Sequence, residues 1–313
     1  MSLDQHAVTG YRPVGGGHLL DSPPKGLPRP SIGDLLRVCQ RYKRVFGHYP
    51  NLRAPSRFTE KIQWRKLFDL NPVFAVFCDK LAVRDFIATR VGASYLPELL
   101  WVGEPFDDIP FNALQPPYIL KCNRSSGGNV IVTQPGSIDL KETRETLQKA
   151  TARTYGRKLF EPGYFPVRPH LLAERLLLQS DGTPPIEHKM FVFDGRVRVI
   201  HAVVVAPDRQ RYDAPHDVDW NRLGWHAVNK PHDHPVPRPA RLDDLIAVAE
   251  RLGAGLDHVR VDLYDWDGGI KVGELTPYNM SGMVRFVPDE TDFIMGSYWH
   301  IGDPLKRALA SRF

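Results

Sequence analysis

The chain has 313 residues, 42% hydrophobic and 25% charged, an ordinary globular balance that excludes a disordered or collagen-like protein and, with no run of ~18 apolar residues, a membrane span. Its three scattered cysteines (Cys39, Cys78, Cys122) are too few for a disulfide framework or a zinc site, and no signal peptide is visible, so a reducing, cytoplasmic enzyme is expected. Net charge is +5, but residues 1–66 alone hold 12 Lys/Arg against 4 Asp/Glu; the block over residues 37–66 reads as a solvated helix face, or as a surface for a polyanion or peripheral contact with an anionic membrane.

Residues 1–30 are rich in Gly and Pro and predict a flexible arm. Ser31 then offers an N-cap with Asp34 in the first turn, and an apolar helical stripe runs from Leu35 to Phe46, where Gly47 stops it. A second helix starts at Thr59 with Ile62, Trp64, Leu67 and Phe68. A third is expected from Pro72 or Asp79 to Gly92. The middle reads as strands: Tyr118–Cys122, a polar Ser/Gly turn over 123–129, and Val130–Val132 returning. A polar helix follows over 141–155, then an apolar run from Leu171 to Leu177 that carries Glu174. Asp194-Gly195 between two β-rich runs predicts a tight hairpin. A helix over 242–256 precedes a second hairpin, Val259–Tyr264 against Ile270–Leu275. Hairpin-paired strands with interspersed helices argue for an α+β fold.

The last hairpin holds the most informative chemistry. Alternation puts Arg260 and Asp262 on one face, opposite Val259, Val261 and Leu263, and puts Glu274 with Ile270, Val272 and Thr276. Two acids facing each other across a hairpin need a cation between them, and oxygen donors of this kind suit Mg²⁺ with nucleotide phosphates. Arg260 is placed to offset phosphate charge. The turn at 123–129 offers N–H groups and hydroxyls to phosphate oxygens, with Lys121 just before it. Neither GxxxxGK[ST] nor GxGxxG is present.

Taken in order, Lys80, Lys121, the Ser/Gly turn, Glu174, Lys189, R-x-D and E-x-T resemble the ATP-grasp superfamily. More closely, the chain resembles the TupA-like ATP-grasp family, through Phe58–Trp64, Cys78–Arg84, Leu120–Asn123, Lys189–Gly195, Asp217–Asn221, Val259–Tyr264 and Gly273–Thr276. That resemblance implies a nucleotide clamped between two α+β subdomains. Behind an arm over 1–30 it implies a helical region over 31–110, a central subdomain over 111–175 with the phosphate-loop hairpin, and a C-terminal subdomain over 176–313 with the metal site. It further implies ATP and Mg²⁺ as cofactors. Lys80, Lys121, Ser125, Ser126, Gly127, Glu174 and Lys189 would bind the nucleotide, Arg260 and Lys121 would act on the transferring phosphoryl group, and Asp262 and Glu274 would hold the metal. Thr276 stands where the superfamily commonly has Asn, so Asn279 or a water would complete that site. Arg124 stands where the family often has His. The implied reaction joins a carboxylate to an amine through an acyl phosphate, on small-molecule or glycan-linked substrates of cell-envelope polysaccharide or peptide-conjugate biosynthesis. Arg211 and Asp219-Trp220 lie between the nucleotide motifs and would face the acceptor.

Three other readings use parts of the same sequence. A kinase on this fold needs the same ATP and Mg²⁺ groups. Asp217-Val218-Asp219 is a D-x-D, the short metal motif of glycosyltransferases. The basic block could serve a nucleic-acid module, but Tyr42, Trp64 and Phe68 accompany it at helical core spacing, which favours packing and no nucleic-acid partner. His226, His232 and His234 read as an exposed, proline-flanked loop rather than a zinc site. The oligomeric state is not encoded in any motif.

Overall fold

The protein, represented by a computed structural model, is described over residues 27–205, 210–227 and 229–303. Most of the expected arm lies outside those residues; Leu27, where they begin, is buried in the largest apolar cluster. Helix α1 (Ile32–Phe46) starts in the capping box Ser31 and Asp34 make together, and ends at Gly47 with φ +87°, a left-handed turn that glycine adopts without penalty. Helix α2 (Phe58–Phe68) follows. The single third helix expected is two, α3 (Val73–Cys78) and α4 (Ala82–Arg90). Asp79 breaks them: its backbone is extended, and its carboxylate accepts the Leu81 N–H at 2.9 Å.

Strands β1 (Leu99–Gly103), β2 (Tyr118–Cys122) and β3 (Val130–Val132) precede helix α5 (Leu140–Ala152). With β4 (Leu171–Arg175) they form an antiparallel sheet in the order β1-β4-β2-β3. The second sheet begins with β5 (Glu187–Phe193) and β6 (Arg196–Val205), joined through Asp194 and Gly195, both at positive φ, as the hairpin reading requires. Strands β7 (Arg211–His216) and β8 (Lys230–Pro231) follow. After helix α6 (Leu242–Gly253), β9 (His258–Trp266) and β10 (Gly269–Thr276) close the sheet, ordered β10-β9-β5-β6-β7-β8. Helix α7 (Glu290–Ser297) packs against α2.

One face of the six-stranded sheet (Met190, Ile200, Val259, Val261, Leu263) is buried with Leu242, Leu245 and Leu252 of α6 and Phe74, Phe77 and Ile87 of α3 and α4. The other carries the polar residues, and a register shift makes it so. Val272 lies opposite Leu263, whereas Glu274 lies opposite Asp262. The extra residue, Gly273, flips the strand, so Ile270 and Val272 join the core while Glu274 faces Asp262. The expected sharing of one face by Glu274, Val272 and Ile270 is therefore wrong, because strict alternation cannot foresee a bulge. A Cβ at Gly273 would lie 2.8 Å from the Tyr264 ring.

The basic block divides: Arg37, Lys43, Arg44 and Arg53 are exposed, as a solvated face requires, but its last cations are not. Lys61, Arg65 and Lys66 of α2 are buried. Lys61 Nζ donates to the carbonyls of Gly296 (2.8 Å) and Trp299 (2.6 Å). The Arg65 guanidinium lies between the rings of Phe74 and Trp299, pairs with Asp257, and donates to the carbonyls of His258 and Pro277. Buried cations persist only with such partners, so these three cannot meet a polyanion or membrane. Among the described residues no helix is long and apolar enough to cross a membrane.

Candidate active site

Antiparallel register aligns one row of side chains across four strands. Glu274 is opposite Asp262, Asp262 opposite Lys189, and Lys189 opposite His201. Directly opposed residues share a face ~4.5–5.5 Å apart. The next row places Thr276, Arg260 and Phe191 together. Arg260, buried, ties the acids: Nε and Nη2 donate to the two oxygens of Asp262 at 2.6 and 2.7 Å, and Nη2 donates to Glu274 at 2.6 Å. Its Nη1 donates to Asn279 Oδ1 at 2.5 Å, and Lys189 Nζ lies 3.7 Å from Asp262. Thr276 donates to Glu274 at 2.8 Å. Burial pushes the Asp262 carboxyl up to about 6 despite Arg260 and Lys189. For Glu274 burial acts the same way, but Arg260 and Lys80 outweigh it and hold the carboxyl down at about 2.

Asn279 opens a short turn in which Met280, Ser281 and Gly282 all have positive φ. Two such non-glycine residues in a row are strained, and strain of this kind persists only where the surroundings hold it. Helix α2 supplies the hold. Gln63 Nε2 donates to the carbonyls of Ser281 (3.0 Å) and Gly282 (2.8 Å), and Lys66 Nζ donates to the Ser281 carbonyl (3.0 Å) and hydroxyl (3.1 Å). The buried end of the basic block thus positions Asn279. Neither Gln63 nor Lys66 stood out in the sequence, because burial in a basic helix leaves no mark there.

The smaller sheet contributes Lys121, and the link between α3 and α4 contributes Lys80. Lys121 and Arg84 both pair with Glu174, the latter at 2.9 Å, and Glu174 is buried. Lys80 Nζ donates to the Ser125 carbonyl at 2.5 Å. Burial lowers the Lys80 pKa, opposed by Glu274 and reinforced by Lys121, so charges from both sheets meet at this ammonium. Asn123 sets its position: Nδ2 donates to Asp79 (2.9 Å), and the Asn123 carbonyl accepts the Lys80 N–H (3.0 Å). Ser125 is buried, Ser126 and Gly127 are exposed, and Gly127 and Gly128 turn the loop at positive φ. Arg124 does not point its charge at this loop; it donates to the carbonyls of Val167 and Thr151, each at 3.0 Å.

A cavity of about 250 Å³ adjoins the acidic row. Lys189, Arg211, Arg260 and Asn279 stand on its lining with His201 and Asn229, and Phe58, Phe191, Trp225 and Phe286 are its aromatic walls. Arg211 also pairs with Glu187 at 2.8 Å. Asp219 is not on this lining but exposed on a turn. There Asp217 accepts the N–H groups of Asp219 (3.0 Å) and Asn221 (2.8 Å), so the first acid of the D-x-D serves a turn while the second is exposed. Trp220 likewise stacks on His216 and donates to the Val236 carbonyl at 3.0 Å. Neither Asp219 nor Trp220, expected to face the acceptor, lines this cavity, because turn and stacking contacts hold the segment elsewhere. Among the described residues no group of three His, Cys, Asp or Glu side chains is placed to hold a metal; His226 and His232 are half-buried and His234 is exposed. The donors that do converge are two carboxylates and one amide oxygen. That all-oxygen set fits Mg²⁺, which completes its shell with water and phosphate.

The fold and this convergence of lysines and acids are those of an ATP-grasp enzyme. Residues 60–300 match the family described as TupA-like ATPgrasp, and the chain belongs to that family. Among solved structures, the D-alanine–D-alanine ligase of Bacillus anthracis is similar at 16% identity and a TM-score of 0.39, over 75% of this chain and 67% of that one. The ATP-grasp ligase PsnB, complexed with a phosphomimetic variant of its minimal precursor, Mg and ADP, is similar at 14% identity and a TM-score of 0.40, over 77% of this chain and 61% of that one. The chain thus spans roughly two thirds of the length of these two ligases. No curated protein matches it.

Proposed function

We propose that the protein is an ATP- and Mg²⁺-dependent ligase that joins a carboxylate to an amine through an acyl phosphate. The observation that carries this reading is the row Glu274, Asp262, Lys189 under Arg260, with Lys80 in electrostatic reach of Glu274 and Lys121. Asp262, Glu274 and Asn279 would hold Mg²⁺, which when bound polarises the phosphates. Each carboxylate oxygen bonded by Arg260 retains a second lone pair for that purpose. Lys80 and Lys121 neutralise non-transferring phosphates, while Ser125, Ser126 and Gly127 cover the terminal one with N–H and O–H donors. Glu174, held between Arg84 and Lys121, orients the nucleoside. Lys189 and Arg260 offset charge on the transferring group, where positioning and electrostatics do most of the catalysis. Arg211 then meets the substrate carboxylate. The family resemblance supports small-molecule or glycan-linked substrates in envelope polysaccharide or peptide-conjugate assembly.

A phosphate-release screen with Mg-ATP, amino acids and sugar acids tests this. Turnover should give ADP and free phosphate, whereas phosphate kept on the product is the kinase outcome. Asp262→Ala or Glu274→Ala should lower turnover about a hundredfold or more with the circular dichroism spectrum retained. Wild-type turnover in either variant removes the metal assignment.

A further inference from the structure

His201 ends the row of opposed residues, next to Lys189, and stands on the cavity lining with Arg260 and Asn279. No motif singles it out. Behind it lies Asp213, which is fully buried. The Asp213 carboxylate accepts the N–H groups of Ala227 and Asn229, each at 3.1 Å, and the Asn229 side-chain amide at 2.7 Å. His201 Nε2 sits 3.0 Å from its Oδ1. Burial opposes ionisation of Asp213, but the His201 ring and the Asn229 amide outweigh it and hold the carboxyl below the usual range. A fixed anion 3.0 Å from Nε2 acts on the ring in two ways. It favours the tautomer that carries the ring proton on Nε2, and it holds that edge of the ring away from the cavity. Nδ1 is then the nitrogen left to accept a proton from a ligand in the cavity.

The ligase reading needs such an acceptor. An amine that attacks an acyl phosphate forms its C–N bond while still carrying a proton it must lose. The acidic row offers no better candidate. Lys189 and Arg260 are cations paired with Asp262, and Asp262 and Glu274 are engaged by Arg260. We infer that His201, oriented by Asp213, is the general base of the amide-forming step. This rests on the ligase reading above. The amine nitrogen bonds to the acyl carbon, the bond from that carbon to the phosphate oxygen breaks with its electron pair leaving on phosphate, and the nitrogen's proton passes to His201 Nδ1. The imidazolium returns the proton to the departing phosphate or to water. Trp225, edge-on to the His201 ring at 5.6 Å, fixes its orientation.

The test compares the full-length wild type with His201→Gln, whose amide can still donate to Asp213. Each is given Mg-ATP and a panel of amino acids, N-acyl amino acids and uronic acids, with either hydroxylamine or amino acids as nucleophile. Hydroxylamine is unprotonated at neutral pH and captures acyl phosphates without a base. In the variant, hydroxamate formation should be unchanged, and amide formation should fall about a hundredfold at pH 7. That deficit should shrink as the pH is raised and free amine accumulates. The charged groups around His201 are Lys189, Arg211, Asp213 and Arg260, with His216 in electrostatic reach. None is altered by the substitution, so a changed pH profile reports on His201 itself. Equal losses with both nucleophiles, or no loss of amide formation, overturn the assignment. If the wild type yields no hydroxamate from any acid, the ligase reading falls and takes this inference with it.

Discussion

Single residues show how unequally the site is written in the sequence. Arg260 and Asp262 could be placed on one face by alternation alone, because they are two positions apart on one strand. His201 could not, since an isolated histidine in a β-rich run is indistinguishable from a core residue until the register sets it beside Lys189. His258 and His188 show the opposite outcome, chemistry silenced by burial. His258 is enclosed by Phe58, Phe193 and Trp299, and burial, with Arg65 nearby, lowers its pKa to about 3. Burial lowers that of His188 to about 4. Both are neutral when folded, so below ~6.5 the unfolded chain binds more protons than the native one and acid destabilises the protein. The stability these rings contribute is complete above pH ~6.5 and is lost as pH falls toward about 4 and 3. Together they should remove about 4 kcal/mol between pH 8 and pH 5. Urea unfolding across that range should show it, and His258→Gln should about halve the loss; an unchanged slope would mean that other groups set it.

Elements show where sequence patterns succeed and where they break. Hairpin β5–β6 follows from Asp194-Gly195, a local signal that tertiary contacts did not need to correct. The site face of β10 depends on one inserted glycine, and the path of α3 and α4 on one aspartate. Helix α2 departs furthest from its pattern. Its cations look like surface and are interior, because neighbouring carbonyls, rings and Asp257 take up their charge. The close approach of α7 to α2 is what encloses Lys61. A Cβ on Gly296 would lie 2.0 Å from the Ser56 carbonyl oxygen and 2.8 Å from the Phe58 nitrogen. Both are backbone atoms and cannot swing away. Gly296→Ala should therefore cost about 3 kcal/mol, seen as a lower urea midpoint, and should loosen the hold of Gln63 and Lys66 on the turn that carries Asn279. A midpoint equal to wild type would mean that α7 shifts without cost.

For the whole molecule, the consequential arrangement is the meeting of two sheets at Lys80. Its charge responds to Glu274 from one sheet and to Lys121 and Glu174 from the other, so a nucleotide bound there should order both. Hydrogen exchange with and without Mg-ATP should show joint protection of residues 124–129, β4 and the β9–β10 hairpin. Protection confined to one sheet would place the nucleotide elsewhere. The sequence by itself determined the α+β class, the hairpins, the cap of α1, the family and the order of lysines, acids and arginine, because those depend on neighbours a few positions apart or on motifs in series. Only the tertiary structure decided that Glu274 faces Asp262, that the basic helix is internal, that Asp219 leaves the site and that His201 enters it. Each of those outcomes turns on pairing between distant segments, where a one-residue shift reverses a side chain and a buried partner changes what a charge can do.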